Sequence, residues 1–169
     1  MKSMHREKIY EEVIKRNSET VYRLAYSLVK AQSDADDIYQ EVFLRYVRKA
    51  PVFDSEEHEK AWFIRVTINC CKNFWKSPWI QKRSVLEKDV LEKEAVCEAK
   101  DENQRLIDIV KQLPEKYRVV IHLFYYEELS IKEIAKITKS KASTVRTRLT
   151  RARKLLQKWL KEEGDDFHV

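Results

Sequence analysis

At 169 residues the chain is long enough for one domain or two small ones. Its 34 basic and 28 acidic residues leave a net charge of +6, which suits a polyanionic partner without requiring one. No apolar run approaches the roughly 20 residues of a membrane span, the amino terminus lacks a signal-peptide core, and one glycine with three prolines is too little turn chemistry for a hairpin-rich sheet. An all-α, cytoplasmic protein is the expectation.

Helical spacing begins at His5 to Arg16, with Ile9, Val13 and the neighbouring Tyr10 and Ile14. Asn17 or Ser18 then reads as the cap of a second helix carrying Val21, Leu24, Ala25 and Leu28, so the two are expected to fold as a hairpin. Ser33 reads as the cap of a third helix, whose stripe is Ile38, Val42 and Tyr46, flanked by Tyr39 and Phe43. Asp34, Asp36 and Asp37 fall in its first turn, where the helix dipole favours anions. Those aspartates suit either helix-end electrostatics or, with Gln40, Glu41 and Leu44, an acidic and apolar surface for a protein partner.

Pro51 interrupts the period. The loop from 49 to 60 has Phe53, Asp54 and Ser55 at its centre, and Ser55, followed by acidic residues, can start the next helix. That helix, Glu57 to Trp75, carries Ile64, Ile68, Cys71 and Trp75 on one stripe, widened by Phe63, Val66, Cys70 and Phe74. A polar stripe of Arg65, Asn69, Lys72 and Lys76, with Asn73 beside it, runs along the helix. Basic and amide side chains interleaved with Trp62, Trp75 and Trp79 suit single-stranded DNA, since rings stack on splayed bases at roughly 1–3 kcal/mol each. Core packing of Trp62 and Trp75 is the competing role.

Pro78 to Lys100 has five basic and five acidic residues and sparse apolar ones, as expected of a linker between domains. Helical period resumes at Asp101 to Leu113, and Pro114 is suited to open another helix that ends near Glu127. Ser130 and Glu133 form a capping-box signature before Ile131, Ile134 and Ala135. After the polar turn 138–141 comes a longer helix, with Val145, Leu149, Ala152, Leu156 and Trp159 spaced 4, 3, 4 and 3. Two helices joined by a short polar turn predict a helix-turn-helix. From Thr138 to Lys161 there are nine basic residues and no acidic one. An ordinary solvated face mixes signs, so nucleic-acid binding is expected. The helix start would enter the major groove, with Lys141, Ser143, Thr144, Arg146, Thr147, Arg148 and Arg151 reaching phosphates or base edges.

Cys70, Cys71 and Cys97 lack metal-ligand spacing, and His122 has no second ligand four residues on, so no metal is expected. With no phosphate loop and no nucleophile beside a base, neither an enzyme, a cofactor nor a small-molecule substrate is expected. The organisation expected is an amino-terminal helical domain (1–77), a linker (78–100), a helix-turn-helix domain (101–161) and an acidic tail (162–169).

Three stretches together resemble bacterial RNA polymerase sigma factors of the extracytoplasmic-function group: DADDIYQEVFLRY from Asp34, AWFIRVTINCCKNFW from Ala61, and LPEKYRVVIHLFYYEELSIKEIA from Leu113 with the helix after it. The resemblance covers nearly the whole chain. It implies that Asp34, Asp37, Gln40, Glu41 and Phe43 dock on core RNA polymerase. It implies that Arg65, Asn69, Lys72, Asn73 and Lys76 face a downstream promoter box, and that the loop with Phe53, Asp54 and Ser55 pockets a flipped base, which contacts must offset by a few kcal/mol. The helix-turn-helix would read an upstream promoter box. An anti-sigma factor, often membrane-anchored, is implied as a restraining partner. The sequence departs from the family at Glu128 and Lys139, where glycine is common, and at Lys141, where a serine cap is common. A differently built turn, with Ser140 as the cap, is the expectation there. The competing function is a repressor or activator that binds duplex DNA as a dimer.

Overall fold

The computed structural model describes residues 2–82 and 102–162, and every regular element among them is helical. Most of the linker expected at 78–100, Cys97 and the tail beyond Glu162 lie outside the described residues.

The first unit comprises α1 (Lys2–Val29), α2 (Gln32–Lys49) and α3 (Glu56–Lys76), each packed on the other two. The expected hairpin at Asn17 is instead one continuous helix. Asn17 does not cap. It is buried, and its amide donates to the Val13 carbonyl at 2.9 Å and to the Glu59 carboxylate at 2.6 Å. With no proline or glycine to break the ladder, the helix runs through. Ser33 likewise does not cap α2, which starts two residues earlier than such a cap would give, with Ala31 at the cap and no side-chain bond there. Ser55 does cap α3, accepting from the His58 amide at 3.1 Å.

The core of this unit holds Val21, Leu24, Leu28, Val42, Phe63 and Ile64, all almost fully buried. Side chains of this size each stabilise by about 1.5–3 kcal/mol on leaving water. Cys70 and Cys71 are part of that core; burial pushes both thiols up, which suits packing rather than reactivity. After Ser77 a helical turn resumes at residues 78–82.

The second unit comprises α4 (Glu102–Lys111), α5 (Glu115–Ile121) continued by a π-helical turn (His122–Tyr126), α6 (Ile131–Thr138) and α7 (Ala142–Glu162). Helices α4, α5 and α6 all pack on α7. The capping box at Ser130 forms in both directions, at 3.1 and 3.4 Å. Helix α7 buries Val145, Leu149, Ala152, Leu156 and Leu160; the predicted stripe therefore ends on Leu160, with Trp159 half-buried beside it.

The turn between α6 and α7 corrects one expectation. Lys139 adopts the left-handed conformation at φ 53°, and Glu128 does so at φ 54°. Ordinary residues thus take the backbone that a glycine would favour. The Ser140 amide closes α6 on the Ala135 carbonyl at 2.9 Å, and the Ser140 hydroxyl donates to the Thr138 carbonyl at 3.4 Å instead of capping α7. Lys141 holds the cap position, its carbonyl accepting from the Val145 amide at 3.1 Å.

The two units touch. Helix α3 packs on α6, and α1 on α5. Among the described residues no helix is long and apolar enough to cross a membrane.

Candidate nucleic-acid interface

Helix α7 turns its apolar stripe to α4, α5 and α6, so its remaining circumference is the cationic one. Lys141, Ser143, Arg146, Thr147 and Arg151 are exposed; Thr144 and Arg148 are half-buried. Ser143, Thr144, Thr147, Arg148 and Arg151 converge on one concave surface with Lys116 and Tyr117 of α5. The Thr147 hydroxyl donates to the Ser143 carbonyl at 2.9 Å, which leaves its lone pairs facing out as acceptors. Arg153, on the far flank, is tied instead to the Tyr125 hydroxyl at 2.6 Å. None of Lys141, Arg146, Arg148 and Arg151 has an ion-pair partner among the described residues. Unneutralised cations around hydroxyl donors and acceptors, on a helix start, can hold phosphates and read base edges. Lys116 escaped the sequence reading because it stands alone beside an acidic residue on a different helix; only the fold brings it to α7.

On α3 the polar stripe forms the second cationic face. Asn69, Lys72, Asn73 and Lys76 are exposed, and Arg65 is half-buried, with its Nε buried and unpartnered among the described residues. Trp62 and Trp75 are half-buried, while Trp79 is 70% exposed. Trp62 is packed edge-on against Phe53, Phe63 and Tyr46. Phe53 stacks over Tyr46 at 6.4 Å and meets His58 edge-on at 5.4 Å, so its ring turns into the first unit. Val52, Asp54 and Ser55 are exposed in that loop, and the Asp54 amide donates to His58 Nδ1 at 3.2 Å.

The five residues expected to dock a protein partner divide. Asp37 and Gln40 are exposed and Glu41 is half-buried, bonded to Arg45 at 3.0 Å. Asp34 and Phe43 are buried, and Phe43 packs on Phe63 and Tyr39. In their place, Leu44 and Val47 are 48% and 45% exposed on the face that carries Asp37 and Gln40. Leu44 was expected on that surface from the sequence; Val47 was not, and an apolar residue lying off the buried stripe was the available signal for it.

Residues 13–79 match the family described as sigma-70 region 2, and residues 103–156 the family described as sigma-70 region 4. The chain is 32% identical over 145 residues to the RNA polymerase sigma factor SigV of Bacillus subtilis strain 168, covering 84% of this chain and 85% of that protein. It is 27% identical over 168 residues to the ECF RNA polymerase sigma factor SigW of the same organism, covering 90% and 89%. The fold is similar to that of the sigma factor RpoE solved in complex with the anti-sigma factor NepR from Bartonella quintana, with a TM-score of 0.68 at 23% identity over 91% of this chain and 98% of that one.

Proposed function

This chain belongs to the extracytoplasmic-function group of sigma-70 RNA polymerase sigma factors, which direct promoter-specific transcription, and from that premise we propose how its residues divide the work. The observation that carries the assignment is the pair of cationic faces, one on α3 and one on α7, each on its own helical unit.

On the second unit, Lys141, Ser143, Thr144, Arg146, Thr147, Arg148 and Arg151 contact the upstream promoter box, with Lys116 holding a flanking phosphate. The concavity they share with α5 supports a groove edge seated there. On the first unit, Arg65, Asn69, Lys72, Asn73 and Lys76 contact the downstream box. Asp54 and Ser55 present the rim of a base-sized site, and Phe53 positions it from inside. Flipping one base costs a few kcal/mol, which a pre-ordered loop offsets better than a mobile one. The exposed face of Asp37, Gln40, Glu41, Leu44 and Val47 docks on core RNA polymerase; Asp34 and Phe43 support it from the interior. The chain itself breaks no covalent bond and works in the cytoplasm, where the polymerase is. An anti-sigma factor is the restraining partner we propose; the similar RpoE was solved in complex with one.

The domain limits proposed are 1–77 and 101–161, with a connecting linker. The test is reconstitution with core polymerase on genomic fragments, mapping transcript starts. Discrete starts that share two upstream boxes are the expected result. Tight dimeric binding to a palindromic duplex, without any polymerase-dependent start, would overturn it.

A further inference from the structure

Lys72 and Lys76 of α3 line a cleft of about 480 Å³ together with Lys116 and Arg148 of the second unit. Small-molecule sites have volumes of roughly 300–1,000 Å³ and favour junctions between domains. Against these four cations the lining holds one carboxylate, that of Glu115. None of the four has an ion-pair partner among the described residues. A concave surface of one sign on low-dielectric walls focuses its field and gathers counter-ions. Ile68 and Val119, 3% and 7% exposed, supply the apolar part of the wall. A fifth cation stands close by. Arg118 is buried, lies 5.9 Å from the centre of the Trp75 ring and forms no ion pair among the described residues.

The rest of the lining is not generic for anions. Trp75 borders the cleft with a half-buried ring, and an aromatic ring held beside cations is a stacking platform for a base. Thr138 and Ser140 border it too. The Thr138 hydroxyl donates to the Ile134 carbonyl at 2.7 Å, and the Ser140 hydroxyl to the Thr138 carbonyl at 3.4 Å. With their protons spent, both oxygens are left as acceptors. Acceptors suit ribose hydroxyls or an exocyclic amine and repel a phosphate. The cleft thus offers cations to several negative charges, a ring to a base and acceptors to a sugar. An inorganic anion would use the first of these alone.

We infer that this cleft is a binding site for a nucleoside polyphosphate, whose base stacks on Trp75 and whose phosphates are shared by Lys72 and Lys76 of one unit and Lys116 and Arg148 of the other. Binding of the nucleotide does not depend on the assignment of these residues to promoter DNA. One consequence does: the same four side chains cannot hold both anions, so nucleotide and promoter compete.

The full chain is titrated calorimetrically with GTP and, separately, with inorganic tripolyphosphate at physiological ionic strength. One site per chain is expected, with GTP at least about fivefold tighter, the low end of what one stacked base supplies. Lys72→Gln/Lys76→Gln weakens GTP about tenfold or more. Lys8→Gln/Lys15→Gln, on the exposed side of α1, loses the same charge and leaves the affinity unchanged. Circular dichroism checks that the variants fold, and Lys76→Gln alone replaces the first pair if that pair does not. Absence of binding at millimolar GTP, or equal weakening by both lysine pairs, would overturn the site. Equal affinity for GTP and tripolyphosphate would overturn the nucleoside, since the cleft would then read phosphate alone. Upstream-box duplex binding is measured with and without GTP. Duplex affinity indifferent to saturating GTP would overturn the competition. Nucleotide binding by a chain that holds no duplex would uphold the site and sink the DNA assignment.

Discussion

Arg16 meets Glu59 through two parallel hydrogen bonds of 2.8 Å, joining the middle of α1 to the first turn of α3. Asn17 adds a third bond to the same carboxylate at 2.6 Å. These bonds hold the Glu59 carboxyl below the usual carboxylate range, outweighing the opposing effect of its burial. The cluster fixes how α3 leaves α1, and therefore where the polar stripe of α3 points.

Replacing Glu59 with Gln removes charge-assisted bonds and leaves the Arg16 and Asn17 donors poorly matched. A loss of about 2–3 kcal/mol in unfolding free energy at pH 7 is expected, at the lower end for a buried pair because Arg16 is half-exposed. A carboxyl with a depressed folded value stabilises above its unfolded value, near pH 4, and loses that contribution as pH falls through the folded value. Urea titrations at pH 7 and pH 3 check this: the gap between parent and variant is full at the first and much smaller at the second.

Lys139 carries a side chain in the left-handed region at φ 53°. Glycine there avoids a cost of about 1–2 kcal/mol, partly offset by the greater freedom it gives the unfolded chain. Lys139→Gly therefore raises stability by about 0.5–1 kcal/mol, read as a higher midpoint in thermal unfolding. Lys139→Val lowers it, because a branched side chain tolerates that backbone poorly.

Arg148 and Lys116 face the same concavity from different helices. Arg148→Ala costs about 1–3 kcal/mol on the parent upstream box and relaxes preference at one position, whereas Lys116→Ala weakens all sequences alike and lowers the salt slope by about one. Binding isotherms at several salt concentrations, on parent and mismatched duplexes, separate the two behaviours.

Leu44 is exposed on α2 in line with Gln40, whereas Phe43 is packed against Phe63. Leu44→Glu lowers affinity for core polymerase without changing the unfolding midpoint. Phe43→Ala lowers the midpoint first, since deleting a buried ring costs about 3–5 kcal/mol. Paired measurements of polymerase affinity and thermal stability distinguish surface from support.

What could be read from the sequence follows the range of the forces involved. The Ser130–Glu133 box and the α7 stripe are local; the box formed as written, and so did the stripe as far as Leu156, its last place going to Leu160 and not Trp159. Asn17, Ser33 and Ser140 each carry cap chemistry, yet none of them caps a helix. Asn17 was drawn to a carboxylate on another helix, Ser33 lies inside α2, and the backbone around Lys139 left the Ser140 hydroxyl facing Thr138. The two cationic faces were visible as stripes of charge. Lys116, and the cluster in which Glu127 meets Arg23 and Lys60, join residues far apart along the chain, where no spacing announces them.

The loop between α2 and α3 is moored on either side of Asp54, by the Phe53 ring inside the first unit and by the Ser55 cap on α3. Under the proposed assignment of this loop to a flipped base, its tip is an interchangeable cassette. Swapping Asp54 and its outward neighbours for those of another factor would transplant a preference for one base while leaving the scaffold untouched, provided that the two moorings are kept.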